Sequence, residues 1–240
     1  MAQTILYKAN ERGSRDHGWL KTRYSFSFSD YYDPQKIHFG ALRVLNDDII
    51  AAGMGFATHP HDNMEIITIP LEGALAHKDS MGNASIIRHG EIQVMSAGSG
   101  ITHSEFNANE DATVKLLQIW VFPDKKNVTP RYGQLEIDLA QMRNKLLQLV
   151  SPYPEDEGLW IHQHAWFFMG RFDAHVEKEY AFRKQGNGVY VFVINGSFTV
   201  NGVNLDDRDA LGLWDTDRIS IQTNKADSQI LLMEVPMEFD

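Results

Sequence analysis

The stretch GMGFATHPHDNMEI, residues 53–66, and the stretch GSGITHSEFN, residues 98–107, decide how this chain is interpreted. The first holds His59 and His61 two positions apart, and the second holds His103 two positions before a glutamate. Residues two apart on a β-strand point to the same face and lie roughly 6.5–7 Å from each other. Each pair can therefore direct both of its side chains at one point.

Together the two pairs indicate a mononuclear metal site. If the strands that carry them face each other across a barrel, the imidazoles of His59, His61 and His103 meet. The carboxylate of Glu105 completes the set. Three imidazoles and one carboxylate leave one or two positions open on a five- or six-coordinate ion. An open position is typical of a catalytic site and not of a closed structural one.

A single His-x-His pair is often no more than two polar residues on the solvent side of a strand. Two such pairs in one chain favour the metal site, and the flanking residues favour it as well. The glycines at positions 53, 55, 98 and 100 let the backbone bend and approach closely, and Pro60 suits a strand edge or a bulge.

The bulk composition excludes several other functions. The chain has 240 residues with an apolar share of 43%, which is enough to bury a core. Lys and Arg total 22 against 32 Asp and Glu, and no basic cluster interrupts this acidic background, so we expect no nucleic-acid partner. The absence of cysteine excludes disulfides, thiolate ligands and thiol catalysis. No apolar run has the length of a signal peptide or a membrane span, so we expect a cytoplasmic protein without a membrane partner.

The pattern along the chain predicts an all-β protein. Short runs rich in β-branched and aromatic residues recur between turns that contain Gly, Asp or Asn. These predicted strands are 24–28, 65–70, 84–88, 91–95, 114–121 and 189–194. Helical periodicity is scarce, and the best candidate is a short helix over 138–144 with Asp138 as its cap.

Two β domains are predicted on either side of that helical connection. The loop SPYPEDEG, residues 151–158, is interpreted as part of the joint, and the division is placed between 1–135 and 136–240. Two segments, residues 71–95 and 194–214, look like weakly related copies of one pattern. The second copy lacks the His and Glu pairs, so any metal chemistry is expected in the N-terminal domain.

With these residues in hand, the chain resembles the pirin family of the cupin superfamily over most of its length. The first cupin motif is matched by Gly53, His59, His61 and Glu65, with Gly73 one residue late. The second motif is looser: it opens at Gly90 and closes with His103 and Asn107, and Ser96 stands where a proline is expected. The segments outside the site that look like pirin signatures are HGWL (17–20), FSFSDYYDP (26–34), FGALRVLNDD (39–48) and IHQHAW (161–166).

The resemblance implies a bicupin, that is, two cupin barrels of the double-stranded β-helix or jelly-roll type placed face to face. It implies one metal ion, in the first barrel only, bound by His59, His61, His103 and Glu105. Fe(II) is favoured by ligand type, with Mn, Co, Ni, Cu or Zn as alternatives. Glu65 is expected to orient a ligand imidazole or a bound water, and direct ligation by Glu65 is the alternative.

The resemblance also implies an activity. Bacterial pirin-like proteins resemble quercetinases, so we expect a quercetin 2,3-dioxygenase-type oxidoreductase that opens the heterocycle of a flavonol and releases carbon monoxide. Its partners would be a small aromatic substrate and dioxygen. Glu105 would be the catalytic base that takes the substrate hydroxyl proton. A monomer is expected. The alternative is an iron-binding, redox-responsive regulatory protein that acts through a protein partner.

Other histidines give weaker signals. His162 and His164 form a rival pair with the same strand spacing, but no second His or carboxylate pair accompanies them. We interpret them as part of a surface or inter-domain strand. The remaining histidines are isolated and are interpreted as structural or surface residues, although His38 and His77 could border the cavity. Phe56, Phe106 and Trp120 are expected to pack in the core, with lining of the pocket as the alternative.

Overall fold

The structure, a computed structural model, describes residues 2–239. Strands dominate the described part of the chain. The strands of the first half are β1 (Gln3–Tyr7), β2 (Gly13–Asp16), β3 (Leu20–Tyr24), β4 (Leu42–Ile50), β5 (Gly55–His61), β6 (Glu65–Glu72), β7 (Ala74–Asp79), β8 (Ala84–Arg88), β9 (Glu91–Ser96), β10 (Ile101–Asn107), β11 (Val114–Val121) and β12 (Arg131–Glu136). The predicted strands over 84–88 and 114–121 are found with the same bounds.

The second half is built in the same way. Its strands are β13 (Leu147–Ser151), β14 (Leu159–Trp160), β15 (Trp166–Phe172), β16 (Glu177–Ala181), β17 (Asn187–Asn195), β18 (Phe198–Val200), β19 (Val203–Leu205), β20 (Ala210–Trp214), β21 (Arg218–Thr223) and β22 (Ser228–Pro236). Short 3-10 helices are formed by Ala9–Glu11 and Leu139–Met142. The second of these is the predicted helical connection, and the Asp138 side chain accepts a hydrogen bond from the Ala140 N–H (3.0 Å) as expected of a cap.

Each half contributes a large and a small sheet. In the first half, a seven-stranded sheet has the order β12-β9-β6-β11-β4-β3-β2, and a four-stranded sheet has the order β5-β10-β7-β8. In the second half, the large sheet has the order β1-β20-β17-β22-β15-β13-β14, and the small sheet has the order β16-β21-β18-β19. The prediction of an all-β chain built as two barrels is confirmed.

One strand from the first half of the chain, β1, is part of the large sheet of the second half. β1 pairs with β20, with Gln3 opposite Trp214 and Tyr7 opposite Ala210. An ion pair between Lys8 and Asp209 and a hydrogen bond from the Ala9 N–H to Asp209 (2.8 Å) hold the end of this strand. The division into 1–135 and 136–240 stays a prediction, and this exchanged strand is a feature that it did not include.

The largest apolar core lies between the two large sheets. Alternate residues of the first-half strands, such as Ile67 and Leu117, pack against residues of the second half such as Phe167 and Phe192. Because side chains alternate across a strand, the opposite faces of both sheets are left to line the two barrel interiors. The two barrels therefore pack face to face through their large sheets.

The two barrel interiors differ in polarity. The second barrel is filled by buried apolar side chains, including Phe168, Phe198 and Leu232. The interior face of the first barrel carries the buried polar residues Asn46, Asp48, Thr68 and Gln93. The partly buried Gln118 lies beside them. Several of their atoms, among them Asp48 Oδ1 and both amide atoms of Gln93, have no hydrogen-bond partner among the described residues. Among the described residues, the groups of side chains that could hold a metal ion lie in the first barrel.

Two local predictions were wrong. The strand expected over 24–28 ends at Tyr24, because Ser29 adopts a left-handed φ of 54° and reverses the chain into a bridge between Phe28 and Tyr31. The loop 151–158 is not the joint, because it connects β13 to β14, which pair within the sheet of the second half. The chain passes from one barrel to the other between β12 and β13. No helix in residues 2–239 is long and apolar enough to cross a membrane.

Candidate metal centre

Pairing of β5 with β10 brings the two predicted ligand pairs together. His59 lies opposite His103, and His61 lies opposite Ile101. The ring centroids of His59, His61 and His103 are 4.5–4.8 Å apart in all three combinations. One ring nitrogen of each histidine lies within 4.8 Å of the others. The predicted cluster of three imidazoles is therefore present as a geometric group.

The nitrogen atoms of this group are arranged to share a cation. The Nδ1 atom of His59 lies 2.8 Å from the carbonyl oxygen of Ala57, which makes Nδ1 the protonated nitrogen and leaves the Nε2 lone pair free. That Nε2 atom lies 3.0 Å from the Nε2 atom of His103. A metal ion bound between converging lone pairs relieves their repulsion. A histidine that binds a metal through one ring nitrogen usually donates a hydrogen bond from the other, as His59 does to the Ala57 carbonyl.

The protonation of the histidines also suits a metal ion. Burial and the nearby His59 lower the pKa of His61 to about 4, and the same two causes lower the pKa of His103 to about 2. Both rings are therefore neutral near pH 7. Neutral imidazole is the form that binds metals, so His61 and His103 can bind a divalent ion without first losing a proton.

Glu105 lies on the same strand but in an overlapping group. A bulge in the pairing with β5 separates His103 from Glu105, which lies opposite Phe56. A carboxylate oxygen of Glu105 groups with ring nitrogens of His77 and His103 within 4.8 Å. Three of the predicted ligands therefore form one group. The fourth, Glu105, belongs to a second group, and His103 is a member of both.

The surroundings of Glu105 shift the pKa of its carboxyl group. The side chain is buried, and the Gln118 amide donates to both carboxylate oxygens (3.2 and 3.0 Å). Burial raises the pKa of Glu105 to about 7, with the carboxylate of Asp48 acting in the same direction. A pKa near the working pH is what a general base requires.

Aromatic side chains flank the histidines. The centroids of the Trp120 and His61 rings are 4.9 Å apart, and the buried Nε1 atom of Trp120 has no hydrogen-bond partner in the part of the chain that the structure describes. Phe28 packs edge-on against Trp120, and Phe56 lies 6.5 Å from His59. Phe106 points instead to the outer surface, where it is 39% exposed. Of the three aromatic residues singled out in the sequence, two border the site.

Glu65 does not lie at the site, so its expected role was wrong. It is four positions from His61, which on a continuous strand would place both on one face. The segment between β5 and β6 is a turn in which Asn63 has a left-handed φ of 43°, and this turn breaks the alternation. Glu65 faces the space between the barrels, where Ser96 Oγ donates to it (2.7 Å) and Arg131 lies near.

Replacement of Glu65 by Gln should leave the metal content unchanged and alter the pH dependence of stability. Burial raises the pKa of Glu65 from 4.5 to about 7. Folding therefore favours the protonated carboxyl, and the contribution of Glu65 to stability falls as the pH rises from 4.5 through 7. One pKa unit corresponds to about 1.4 kcal/mol. Between pH 5 and pH 8, the free energy of unfolding of Glu65→Gln, measured with urea, should therefore rise by about 2 kcal/mol relative to that of wild type. Free energies of unfolding that change in parallel with pH in the variant and in wild type would contradict this expectation.

The other histidines occupy separate positions. His162 packs against Trp160 (4.8 Å), and neither His162 nor His164 is part of a metal-sized group among the described residues. His38 packs between Phe122 and Phe239 and does not lie beside the grouped histidines. His77 does border the site. The sequence carries a signal for it, because His77 and Asp79 have the same two-residue spacing as the ligand pairs.

A cavity of about 750 Å³ lies elsewhere, lined by residues 88–91 and 136–140. It is an open groove with the exposed side chains of Arg88 and Glu136, and it contains none of the grouped histidines. The chemistry of the donor set and not the size of this groove therefore identifies the candidate site.

Comparison with known proteins agrees with this geometry. Residues 7–121 match the family model described as pirin. A solved structure of the bacterial pirin YhhW from Escherichia coli in complex with nickel(II) is 40% identical, covers 98% of this chain and 99% of its own, and superposes with a TM-score of 0.91. The chain belongs to the pirin family. Residues 148–235 of this pirin match a second model, described as quercetinase C-terminal cupin domain.

Two of three further proteins similar to this pirin carry an activity in their names. The quercetin 2,3-dioxygenase of Escherichia coli (strain K12) is 44% identical over 96% of this chain and 98% of its own length. The pirin-like protein of Caulobacter vibrioides is 40% identical over 92% and 95%, respectively. A solved quercetin 2,3-dioxygenase from Acinetobacter baumannii, 20% identical with a TM-score of 0.76, shares the fold. The predicted bicupin fold is confirmed.

Proposed function

We propose that His59, His61, His103 and Glu105 bind one divalent metal ion, and that this pirin is a dioxygenase that opens the heterocycle of a flavonol such as quercetin and releases carbon monoxide. The observation that carries the proposal is the convergence of the His59 and His103 Nε2 atoms, 3.0 Å apart, beside His61. Relatives named for this activity support the substrate class.

The donor set favours Fe(II), with Mn, Co, Ni, Cu or Zn as alternatives. The nickel complex of the related bacterial pirin supports a divalent ion in this family fold. When bound, the ion would act as a Lewis acid toward the substrate hydroxyl and, if redox-active, take part in the reaction with dioxygen. That the protein is cytoplasmic and monomeric stays a prediction.

The residues of the chain would provide orientation and proton transfer. Glu105 takes the proton of the flavonol hydroxyl at a carboxylate oxygen, while Gln118 holds the carboxylate through its amide. Trp120 and Phe56 offer apolar faces on which an aromatic substrate can pack beside the histidines. The buried polar atoms of the first barrel can form hydrogen bonds with the phenolic groups of the substrate, as acceptors or as donors.

The test begins with protein purified without added metal or chelator, whose metal content is determined by mass spectrometry. The protein is then loaded with Fe(II), Mn, Co, Ni, Cu or Zn in turn, and the flavonol absorbance is followed in air and under anaerobic conditions. We expect an oxygen-dependent loss of the flavonol band, with one carbon monoxide released per flavonol and captured by haemoglobin, and no loss in His59→Ala. Stoichiometric metal without turnover would contradict the dioxygenase and favour the redox-responsive regulator.

A further inference from the structure

A second histidine and carboxylate pair lies behind the candidate metal ligands. In the pairing of β7 with β10, Asp79 is opposite His103 and His77 is opposite Glu105. The side chains of His77 and Asp79 are fully buried. The two residues are therefore fixed directly beside the strand that carries His103 and Glu105.

The hydrogen bonds of Asp79 determine the state of His77. Oδ1 accepts from the backbone N–H groups of Met81 (2.9 Å) and Asn83 (3.0 Å), and Oδ2 accepts from the Asn83 amide (2.8 Å). The Nε2 atom of His77 lies 3.3 Å from the same Oδ2. A carboxylate with these donors accepts and does not donate, so His77 carries its proton on Nε2 and presents a bare lone pair at Nδ1.

Within residues 2–239 that lone pair has no hydrogen-bond partner, and neither does the Nδ1 atom of His103. Because the Nε2 atom of His103 faces His59, its use as a ligand leaves the His103 proton on Nδ1. A ligand histidine almost always donates this second N–H, as His59 does to the carbonyl of Ala57. His103 has a buried donor that lacks an acceptor, and His77 has a buried acceptor that lacks a donor.

The separation of the two rings suits a hydrogen bond between them. Their centroids are 5.3 Å apart and the rings are inclined by 56°. Two imidazoles joined by a nitrogen–nitrogen hydrogen bond of about 3 Å have centroids up to roughly 5 Å apart. The two Nδ1 atoms make no hydrogen bond as the side chains stand, so the rings must turn toward each other to close it. The Tyr132 ring packs on His77 at 5.0 Å and limits how far it can turn.

We propose that His77 is a positioning residue of the metal centre, which accepts the Nδ1 proton of His103 in a hydrogen bond and is itself held by Asp79. The series Asp79, His77, His103 fixes which nitrogen of His103 faces the ion and how the ring is turned. This role rests on the proposed function only in that it requires His103 to be a metal ligand. It does not require a flavonol substrate.

The test compares His77→Leu, which removes the acceptor, with His77→Gln, whose side-chain oxygen can still accept. Nickel(II) affinity is measured by competition with a chelator, and the visible spectrum of the cobalt(II)-loaded protein reports the ligand field. We expect affinity to fall by roughly 10- to 100-fold in His77→Leu, with a shifted cobalt spectrum, and to remain within a few-fold of wild type in His77→Gln. The exposed His89→Gln serves as the matched control.

Asp79→Asn provides a second variant if His77→Leu does not fold as judged by circular dichroism. It removes the carboxylate that orients His77, and affinity should fall in the same direction. Unchanged affinity in a folded His77→Leu or Asp79→Asn would overturn the proposal. So would two nickel ions per wild-type chain with one lost in His77→Leu, because His77 would then be a ligand of an ion of its own. Failure of flavonol turnover would overturn the dioxygenase and leave these affinities unaffected.

Discussion

Replacement of His103 by Ala should abolish metal retention and leave both barrels folded. His103 is the residue shared by the two groups of candidate ligands, so its loss disrupts both at once. The fall in nickel(II) affinity should exceed the roughly 100-fold that loss of a residue behind the ligands can cause. Metal content after gel filtration and chelator competition would measure it.

The fold should survive because the strand that carries His103 is held by backbone pairing, which does not depend on the imidazole. β10 is held on both sides by backbone pairing with β5 and β7, and the apolar core between the large sheets lies elsewhere. The matched control is the double variant of His162 and His164 to Ala, which should keep its full metal content. Stoichiometric metal in His103→Ala would contradict the ligand assignment, and a halved content in the control would indicate a second site.

The second large effect is expected for Glu105→Gln, which should retain part of the metal and lose turnover by about 100-fold or more. Gln has nearly the same shape and can still meet the Gln118 amide through its oxygen. It cannot take a proton from the substrate hydroxyl, and its neutral oxygen is a weaker ligand. Single-turnover rates at saturating metal separate loss of the base from loss of the ion.

Glu72→Gln is the control for Glu105→Gln, because Glu72 is an exposed carboxylate at the end of a strand of the same barrel. Its rate should match that of wild type. An unchanged rate in Glu105→Gln would remove the role as base. A complete loss of metal in that variant would show that the carboxylate acts chiefly as a ligand.

The sequence was most informative where function depends on residues close together in one strand. The spacing of His59 and His61, and of His103 and Glu105, predicted which side chains share a face, and the pairing of β5 with β10 brought the histidines together. Alternation along a strand is a local property, so it can be predicted without knowledge of the partners.

The errors arose where the chain turns or where distant strands pair. The position of Glu65 depends on a left-handed residue at Asn63, which the count of residues from His61 ignores. The place of His77 and Asp79 depends on the register of β7 against β10, for which the sequence has no local signal. Their spacing resembles that of the ligands, but their neighbours become evident only in three dimensions.

The exchanged first strand has a consequence for how the protein is made. Lys8 and Asp209, which pair at the end of that strand, are 201 positions apart. β1 must therefore wait for the roughly 200 residues that follow it to be synthesised before it can pair with β20. Loop closure over such a separation is slow, and the uncovered edge of β20 is open to other strands in the meantime. Docking of β1 should thus be a late step in folding, because the strands that carry the candidate metal ligands, β5 and β10, are synthesised long before β20.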